Sequence, residues 1–253
     1  MPVYVVTGAR TGIGLEYIRQ LSHAAPPPGE SNTIFALVRS LDSDLTALCA
    51  IQPSVTNPET TVHILECDIS SPSSIATLPD LIRNTNPGAE TRIDTLINNA
   101  ATLHSRDETA LSLTPSSLQS HITSNVLGPA LVLQALLPLL SPRAKVANIS
   151  SGIASMALVK DGSINAEITP YSISKAALNM LTVHQARQLR EMEAYKEVVV
   201  VAVDPGHAKT EMGGANAVVE VADSAGGVLK VLEGLRVEDS GRFLLYTGAE
   251  LPW

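Results

Sequence analysis

Short apolar segments alternate with segments of helical composition along the whole chain of 253 residues. A strand that is apolar on both faces has to be covered on both faces, so this alternation predicts a parallel sheet between two layers of helices. No internal repeat divides the chain, and residues 1–253 are predicted to form one α/β domain. The predicted strands are Val3–Thr7, Thr33–Val38, Thr61–Cys67, Thr95–Asn98, Lys145–Ile149, Val198–Val203 and Phe243–Tyr246. The predicted helices are Gly14–His23, Asp42–Ala50, Pro72–Asn84, Pro115–Leu140, Pro170–Glu193 and Val218–Leu235.

The charge balance argues against an anionic macromolecular partner. The chain carries 17 Lys and Arg against 25 Asp and Glu, a net charge of −8, and it has no cluster of basic residues. Nucleic acids and anionic membrane surfaces attract basic patches, so neither is expected to bind here. Apolar residues make up 45% of the chain but aromatic residues only 3%, which predicts a large core of aliphatic side chains.

Several features are typical of a cytoplasmic protein. Cys49 and Cys67 have no metal-ligand spacing and suit a reducing compartment. No leader precedes the first predicted strand, so no signal or transit peptide is expected. The most apolar run, 126–140, contains glycine and proline, and we predict a buried helix too short to cross a membrane. The polar stretches 25–32 and 52–60 are predicted to be surface loops.

A glycine-rich turn follows the first predicted strand directly. Gly8, Gly12 and Gly14 have the spacing G-x-x-x-G-x-G, which differs from the G-x-G-x-x-G of the common dinucleotide fingerprint. The physical reason for glycine is the same in both patterns, because a tight turn lets the backbone approach a pyrophosphate closely. The next helix would point its N-terminus at that phosphate. The turn therefore predicts a dinucleotide site.

Tyr171 and Lys175 form the second informative pair. Their spacing places a phenol and an ammonium on one face of a helix, one turn apart. A free tyrosine titrates near ~10, and a neighbouring cation favours the phenolate and lowers that pKa. Tyrosine and lysine also occur at this spacing on ordinary helices, so the interpretation depends on the other motifs. Beside a nicotinamide, such a pair would supply the proton that carbonyl reduction needs.

The chain resembles the short-chain dehydrogenase/reductase family over nearly its whole length, and within it the sniffer/C-factor-like carbonyl reductases. The narrower resemblance rests on the segment DPGHAKTEMGG, the tail LYTGAELPW and an interval of about twenty residues between the serine and the tyrosine of the motifs. This resemblance implies a Rossmann-type, doubly wound parallel sheet of seven strands in the order 3-2-1-4-5-6-7, with helices on both faces. The motifs that carry the resemblance are TGARTGIG (7–14), CDI (67–69), NNAA (98–101), Asn125 in SNVLGP, ISS (149–151), YSISK (171–175) and DPGHAKT (204–210).

The resemblance also implies the catalytic roles. Tyr171 corresponds to the general acid and base, and Lys175 to the residue that lowers its pKa and holds the nicotinamide ribose. Ser151 corresponds to the serine that hydrogen-bonds the substrate oxygen, although the adjacent Ser150 could be confused with it. Asn125 corresponds to the helix residue that holds a water in the proton relay.

The cofactor is predicted to be NADP(H). Where enzymes that use NAD often carry an acidic residue after the second strand, this chain has Arg39, whose guanidinium suits a phosphate. Arg10 can assist it, whereas Thr11 stands where many NADP-using relatives have the basic residue; the alternative is that Arg39 is a solvated loop charge. The predicted cofactor-binding residues are Gly8, Arg10, Thr11, Gly12, Ile13, Gly14, Arg39, Asp68, Ile69, Asn98, Ala100, Tyr171, Lys175, Pro205, Gly206 and Thr210.

The substrate pocket is expected in the loops 101–114, 152–169 and 207–218, whose apolar side chains suit an apolar carbonyl compound. No metal is expected, because the six histidines show no metal-ligand spacing. The predicted substrate-binding residues are Ser151, Ile153, Met156, Tyr171, His207 and Met212.

These features predict an NADPH-dependent carbonyl reductase that acts on a small molecule. The alternatives are an alcohol dehydrogenase working in the oxidative direction, an isomerase or epimerase on the same fold, and a signalling or redox-sensing protein that binds NADP with little turnover. The resemblance further implies a homodimer, with a tetramer possible, in which the segments 115–140 and 170–193 pair across a two-fold axis.

Overall fold

The computed structural model describes residues 2–24, 31–51, 60–85, 91–165 and 167–253. Its seven strands form one sheet in the order β3-β2-β1-β4-β5-β6-β7, and each neighbouring pair is parallel. The predicted sheet order is therefore confirmed. Of the predicted surface loops, 25–30 and 52–59 lie outside the described residues. The strands are β1 Val3–Thr7, β2 Asn32–Val38, β3 Thr60–Glu66, β4 Ile93–Asn98, β5 Leu140–Ile149, β6 Val199–Asp204 and β7 Phe243–Leu245.

Helices cover both faces of the sheet. The predicted helix Asp42–Ala50 is wrong in length, because only four of its residues are helical. The side chain of Asp44 accepts a hydrogen bond from the Thr46 backbone and forms a turn in place of the first helical turn. Helix α6 was not predicted. The α-helices are α1 Gly12–His23, α2 Thr46–Cys49, α3 Pro72–Asn84, α4 Pro115–Ile122, α5 Gly128–Leu136, α6 Met156–Lys160, α7 Thr169–Glu191 and α8 Val221–Gly234.

The predicted helix Pro115–Leu140 is not one regular helix. A π-helical turn, Thr123–Leu127, separates α4 from α5, and a 3₁₀ turn, Leu137–Leu139, leads into β5. The helical run as a whole, Pro115–Leu139, spans 25 residues and contains an 18-residue window with a mean hydropathy of 1.5, of which 44% is buried. By length and composition alone this run is sufficient to cross a membrane, whereas the prediction of a helix that is too short concerned only the stretch 126–140 and stays a prediction. In this fold the run packs against α3 and α7.

Two apolar clusters lie on opposite faces of the sheet. Val5 belongs to the cluster under α3, α5 and α7, whereas its neighbour Val6 belongs to the cluster under α1 and α8. Leu96 and Ile97 of β4 divide in the same way, because successive strand residues point to opposite faces. All four side chains are fully buried. Each contributes roughly 1.5–3 kcal/mol through removal from water, which explains why these strands are apolar on both sides.

The carboxyl ends of the central strands meet at one edge of the sheet. The order of strands reverses between β1 and β4, so the connections leave these two strands in opposite directions and open a crevice between them. The glycine-rich turn follows β1, and Asn99 and Ala100 follow β4. Ser150 follows β5, and Pro205 follows β6. The predicted site residues therefore converge on this crevice.

Candidate active site

The turn after β1 requires glycine for two different reasons. Gly8 and Gly12 have φ of 68° and 60°, in the left-handed region that other residues rarely adopt. A Cβ on Gly14 would lie 2.2 Å from the Gly8 carbonyl oxygen, so the turn has no room for a side chain there. Thr11 precedes α1 and makes no side-chain capping hydrogen bond. The first N–H groups of α1 are therefore free to bind an anion.

A cavity of about 600 Å³ runs from this turn to the end of β2. It combines close backbone approach, a helix N-terminus and three guanidinium groups, which suits the phosphates and ribose of a dinucleotide. Most of the predicted cofactor-binding residues line it. They are Gly8, Arg10, Thr11, Gly12, Ile13, Gly14, Arg39, Ile69, Ala100 and Thr210.

Six of the sixteen predicted cofactor residues do not line this cavity, and Asn98 and Asp68 are two of them. Asn98 is buried, and its side-chain amide donates to Asn148 Oδ1 over 2.9 Å. Asp68 accepts hydrogen bonds from the backbone and hydroxyl of Ser70 and does not line the cavity. Asn99 lines it instead, and its amide donates to the Thr7 carbonyl over 3.0 Å. The second asparagine of the NNAA motif thus holds the glycine-rich turn against β4.

A second cavity, of about 700 Å³, adjoins the first. The loops predicted to form the substrate pocket supply most of its wall. Met156 is the exception, because it begins α6, is 69% exposed and does not line this cavity. Leu103, Arg106 and Asp204 line it although they were not among the predicted site residues. The predicted residues that line it are Ile13, Ser151, Ile153, Tyr171, Pro205, Gly206, His207, Thr210 and Met212.

Tyr171 and Lys175 lie in the first turns of α7, as the motif predicts. Tyr171 borders the second cavity and is 9% exposed. The Lys175 Nζ lies 5.5 Å from the centroid of the Tyr171 ring and donates to the Ile149 carbonyl oxygen over 2.7 Å. Lys175 is therefore buried behind the tyrosine and is tied to the end of β5.

Burial dominates the titration of both groups. Burial raises the pKa of Tyr171 well above its usual value, the nearby charge of Asp204 adds to this, and the charge of Arg106 opposes it. Burial lowers the pKa of Lys175 to about 7. The sequence predicted that Lys175 lowers the tyrosine pKa, whereas the net shift of Tyr171 has the opposite direction. The reason is desolvation, which disfavours both the phenolate and the ammonium.

The hydrogen bonds distinguish the two adjacent serines. The Ser150 hydroxyl donates to Asn179 Oδ1 over 2.6 Å and is buried. Ser151 has an extended backbone, precedes the short turn Gly152–Ala154 and lines the second cavity. Ser150 lines that cavity too, but its hydroxyl proton is engaged by Asn179, so Ser151 is the serine whose hydroxyl is better placed to meet a substrate oxygen.

Asn125 lies in the π-helical turn, and its side chain is fully engaged. The side-chain oxygen accepts from the Thr102 backbone over 2.8 Å, and the amide nitrogen donates to the Thr102 carbonyl and to the Ser174 hydroxyl, each over 3.0 Å. These bonds fix the loop after β4 against α7. They do not test the predicted role of Asn125 as the residue that holds a water in the proton relay, which stays a prediction. Pro129 has no N–H to donate to the Asn125 carbonyl four residues earlier, which disfavours a regular α-helix here.

One further group at the site, His121, was not among the predicted site residues. His121 is fully buried and meets the Tyr171 ring edge-on, with 6.3 Å between ring centroids. Its Nδ1 lies 2.8 Å from the Ser117 carbonyl, so that nitrogen is the donor and Nε2 accepts from the His104 backbone. Asp204 accepts from the Gly206 backbone over 2.9 Å. Helical spacing from Ser117 was the only sequence signal for the histidine.

Among residues 2–24, 31–51, 60–85, 91–165 and 167–253, no group of three or more His, Cys, Asp or Glu is placed to hold a metal ion. Cys49 is exposed and Cys67 is buried, and neither is in a disulfide.

The comparisons with known proteins agree with this geometry. The family model of short chain dehydrogenases matches residues 2–218. The C-signal protein of Myxococcus xanthus is 41% identical over 133 residues, which cover 52% of this chain and 75% of that protein. The short-chain dehydrogenase/reductase AacuF of Aspergillus aculeatus is 33% identical over 214 residues, covering 81% of this chain and 74% of its own.

Two solved structures share the fold over the full length of this chain. One is an NADPH-bound carbonyl reductase from chicken fatty liver, with a TM-score of 0.84, 31% identity and complete coverage of both chains. The other is the carbonyl reductase Sniffer of Drosophila melanogaster, with a TM-score of 0.82, 24% identity and the same coverage. The chain belongs to the short-chain dehydrogenase family. It is an oxidoreductase of the class that acts on carbonyl or CH–OH groups.

The buried lysine predicts a pH-dependent stability. Because its pKa is lower in the folded chain, the cost of burying the charged form is fully present below pH 7, falls as the pH rises towards the unfolded pKa, and then vanishes. At about 1.4 kcal/mol per pKa unit, this cost is on the order of several kcal/mol at neutral pH. Lys175→Met removes it, at the expense of leaving the Ile149 carbonyl unpaired, which costs about 1–3 kcal/mol at every pH.

We compare the two chains by the difference in unfolding free energy, Lys175→Met minus parent. We expect this difference to be largest at pH 6 and to decline steadily to pH 10. Urea unfolding of both chains across this range measures the difference, in which other titrating groups cancel. A difference independent of pH would contradict the depressed lysine pKa.

Proposed function

We propose that this protein is an NADPH-dependent carbonyl reductase that converts a ketone or aldehyde to an alcohol. One observation carries the proposal: Tyr171 and Ser151 line the same cavity as Pro205 and Gly206, directly beside the glycine-rich turn. A proton donor, an oxygen-binding hydroxyl and a dinucleotide cradle are thereby brought to one crevice. The likeness to an NADPH-bound carbonyl reductase over the full chain supports the same reaction.

In the reductive direction NADPH, when bound, supplies the hydride to the carbonyl carbon. The Tyr171 hydroxyl donates its proton to the substrate oxygen as negative charge develops there. The Ser151 hydroxyl donates a hydrogen bond to the same oxygen and fixes its position. A tyrosine whose burial raises its pKa is protonated at neutral pH, which is the form that a proton donor in reduction requires.

Lys175 and Asn125 supply the remaining parts of the relay in this proposal. With its pKa near 7, Lys175 can hold or release a proton behind Tyr171 at neutral pH. The Asn125 carbonyl lacks its usual α-helical donor because of Pro129, so the backbone of Asn125, rather than its side chain, is the group that would accept a water. The side-chain bonds of Asn125 to Thr102 and Ser174 hold that backbone in place.

The preference for NADPH rests on Arg39 and Arg10. Both are exposed, and both line the cofactor cavity near the end of β2. A guanidinium binds a phosphate with two parallel hydrogen bonds, whereas it has no comparable partner on an unphosphorylated ribose. The nicotinamide half would lie against Pro205, Gly206 and Thr210, the residues at the end of β6.

The substrate is proposed to be a small carbonyl compound with an apolar body. Leu103, Ile153 and Met212 form apolar parts of the wall, while the polar groups converge near Tyr171. The protein is proposed to work in the cytoplasm, where NADPH favours reduction and free cysteines such as Cys49 remain reduced.

We expect Tyr171→Phe to abolish most turnover and to leave cofactor binding intact. The change removes only the hydroxyl, and general acid catalysis contributes about 10²–10⁴-fold. A panel of aldehydes, ketones and diketones, followed by loss of NADPH absorbance, measures turnover, and fluorescence titration measures NADPH binding. Tyr195→Phe is the matched control, because Tyr195 packs against the core away from both cavities.

Two results would count against the assignment. Turnover by Tyr171→Phe within a few-fold of the parent would remove Tyr171 from the acid role. NADPH binding by the parent without turnover of any carbonyl compound would favour the redox-sensing alternative.

Arg39 is expected to set the cofactor preference. A charge-assisted hydrogen bond is worth about 1.5–3 kcal/mol, so Arg39→Ala should weaken NADPH binding roughly ten- to a hundredfold and change NADH binding little. Arg39→Asp should reduce the difference between the NADPH and NADH affinities further, because the carboxylate would repel the 2′-phosphate of NADPH and accept hydrogen bonds from the ribose hydroxyls of NADH. Equilibrium titration measures the dissociation constants of both cofactors for the parent and the variants. Arg83→Ala is the control, because Arg83 is an exposed arginine of α3. Equal weakening of both cofactors would show that Arg39 does not read the phosphate.

We further propose a homodimer, with a tetramer as the larger possibility, formed through α7 and the run from α4 to α5. Ile173, Met180 and Val183 form an exposed stripe on one face of α7, and Leu127 is 49% exposed at the π-helical turn that packs on it. Light scattering should give the mass of at least two chains at micromolar concentration. Met180→Glu should lower that mass, whereas Val237→Glu, after α8, should not. A parent mass of one chain would contradict the proposal.

A further inference from the structure

Five residues line both cavities, and we call this junction the neck. Ile13 belongs to the first turn of α1, Leu103 and Arg106 to the loop after β4, and Thr210 and Met212 to the segment after β6. The first cavity holds the glycine-rich turn and Arg39, and the second holds Tyr171. A dinucleotide that reaches from one cavity into the other has to pass the neck with its central part.

Arg106 connects the two sides of the neck. Its guanidinium donates a hydrogen bond to the carbonyl of Met212, so the loop after β4 contacts the segment after β6 above the junction. Ser105, immediately before it, has a φ of 51°, a left-handed conformation that is strained for a residue with a side chain. A strained backbone residue therefore immediately precedes the arginine that reaches across the crevice.

The charge of Arg106 has no acidic partner in the part of the chain that the structure describes, where no ion pair of 4.0 Å or less includes it. Its single hydrogen bond to a carbonyl leaves most of its N–H donors available. The charge also reaches the catalytic group, because it acts on the pKa of Tyr171. An exposed, uncompensated guanidinium over a cleft is suited to an anionic ligand.

We propose that Arg106 binds the diphosphate of the nicotinamide cofactor at the neck and closes over it. The inference rests on the proposed function and adds a residue to it. The free N–H groups at the start of α1 would hold the diphosphate from the side of Ile13, and the guanidinium would hold it from the opposite side. The diphosphate is common to NADPH and NADH, so Arg106 contributes to affinity without reading the 2′-phosphate.

The other anion that could meet Arg106 is a carboxylate on the substrate. The second cavity disfavours it, because Asp204 and Glu167 also line that cavity and would repel a second carboxylate. Among the residues that the structure describes, the first cavity carries Arg10, Arg39 and Arg106 against Glu211 as its only acidic lining residue. The local charge therefore favours the cofactor as the ligand of Arg106.

The test compares Arg106→Ala, Arg106→Lys and Arg39→Ala, with Arg83→Ala as a charge-matched control on α3. The dissociation constants of NADPH and NADH are measured by fluorescence titration at low and at physiological salt. We expect Arg106→Ala to weaken both cofactors by the same factor, roughly tenfold or more, so that their ratio stays at the parent value. Arg106→Lys should retain part of the affinity, and Arg39→Ala should change the ratio. Displacement of bound NADPH by excess NADP⁺ should be faster in Arg106→Ala, because the closing contact is lost.

Three results would overturn the inference. The first is unchanged binding of both cofactors by Arg106→Ala, and the second is weaker binding of NADPH alone. The third is unchanged cofactor binding with a raised KM for 4-carboxybenzaldehyde but not for benzaldehyde, which would make Arg106 a substrate residue. Where Arg106→Ala has a lower melting temperature, Arg106→Gln and Arg106→Lys decide by the same titrations. Failure of the parent to bind either cofactor would overturn the proposed function itself.

Discussion

A row of buried polar contacts between α7 and β5 fixes α7, the helix that carries Tyr171 and Lys175, and the rest of the site depends on it. Lys175 donates to the Ile149 carbonyl, Asn179 accepts from Ser150, and Asn148 donates to Thr182 and Gln185 farther along the helix. Unlike apolar packing, these bonds are directional, so a rotation of α7 about its axis would leave buried groups unpaired. The orientation of Tyr171, one turn before Lys175, is set by the same row. The desolvation that raises the tyrosine pKa is a consequence of this packing.

The loop after β4 is held by a second set of contacts that converge on the same helix. Asn125 binds both backbone groups of Thr102 and the hydroxyl of Ser174, and His121 accepts from the backbone of His104. This loop also carries Leu103 and Arg106 to the junction of the two cavities. The π-helical turn brings Asn125 into this position. Pro129 has no N–H, so it cannot form the α-helical hydrogen bond to the Asn125 carbonyl that would favour a regular helix here. The helix irregularity and the geometry of the cleft thus have one cause.

Much of the fold followed from local rules. The central strands are apolar on both sides because both faces are covered, and Gly8, Gly12 and Gly14 are required by left-handed backbone or by lack of space. Such requirements act within a few residues of the chain, so they can be recognised without the tertiary structure. The exact ends of the helices and strands could not be recognised in this way. The length of α2 depends on a side-chain bond of Asp44, and the start of β5 at Leu140 follows a proline-containing 3₁₀ turn.

The site residues could be predicted where the chemistry restricts the residue type. They were harder to predict where two adjacent residues in the sequence are of the same type. Asn98 and Asn99 are identical in type, yet one pairs with Asn148 inside the sheet and the other lines the cofactor cavity. Strand alternation and the point where β4 ends decide between them. Ser150 and Ser151 both line the second cavity, and they differ in that the Ser150 hydroxyl donates to Asn179.

The distribution of charge shows how an acidic protein can bind an anionic cofactor. The chain has a net charge of −8, but in its described part three arginines line one cavity together with a single acidic residue. At physiological salt, charges are screened beyond about 8–10 Å, so a phosphate in that cavity responds to the local guanidinium groups more than to the distant carboxylates. Asp204 lines the second cavity, where burial and, to a smaller extent, the charge of Asp204 raise the pKa of Tyr171 and favour the protonated phenol. Positive charge is therefore concentrated where phosphates would bind, and negative charge lies where the proposed proton donor would have to remain neutral.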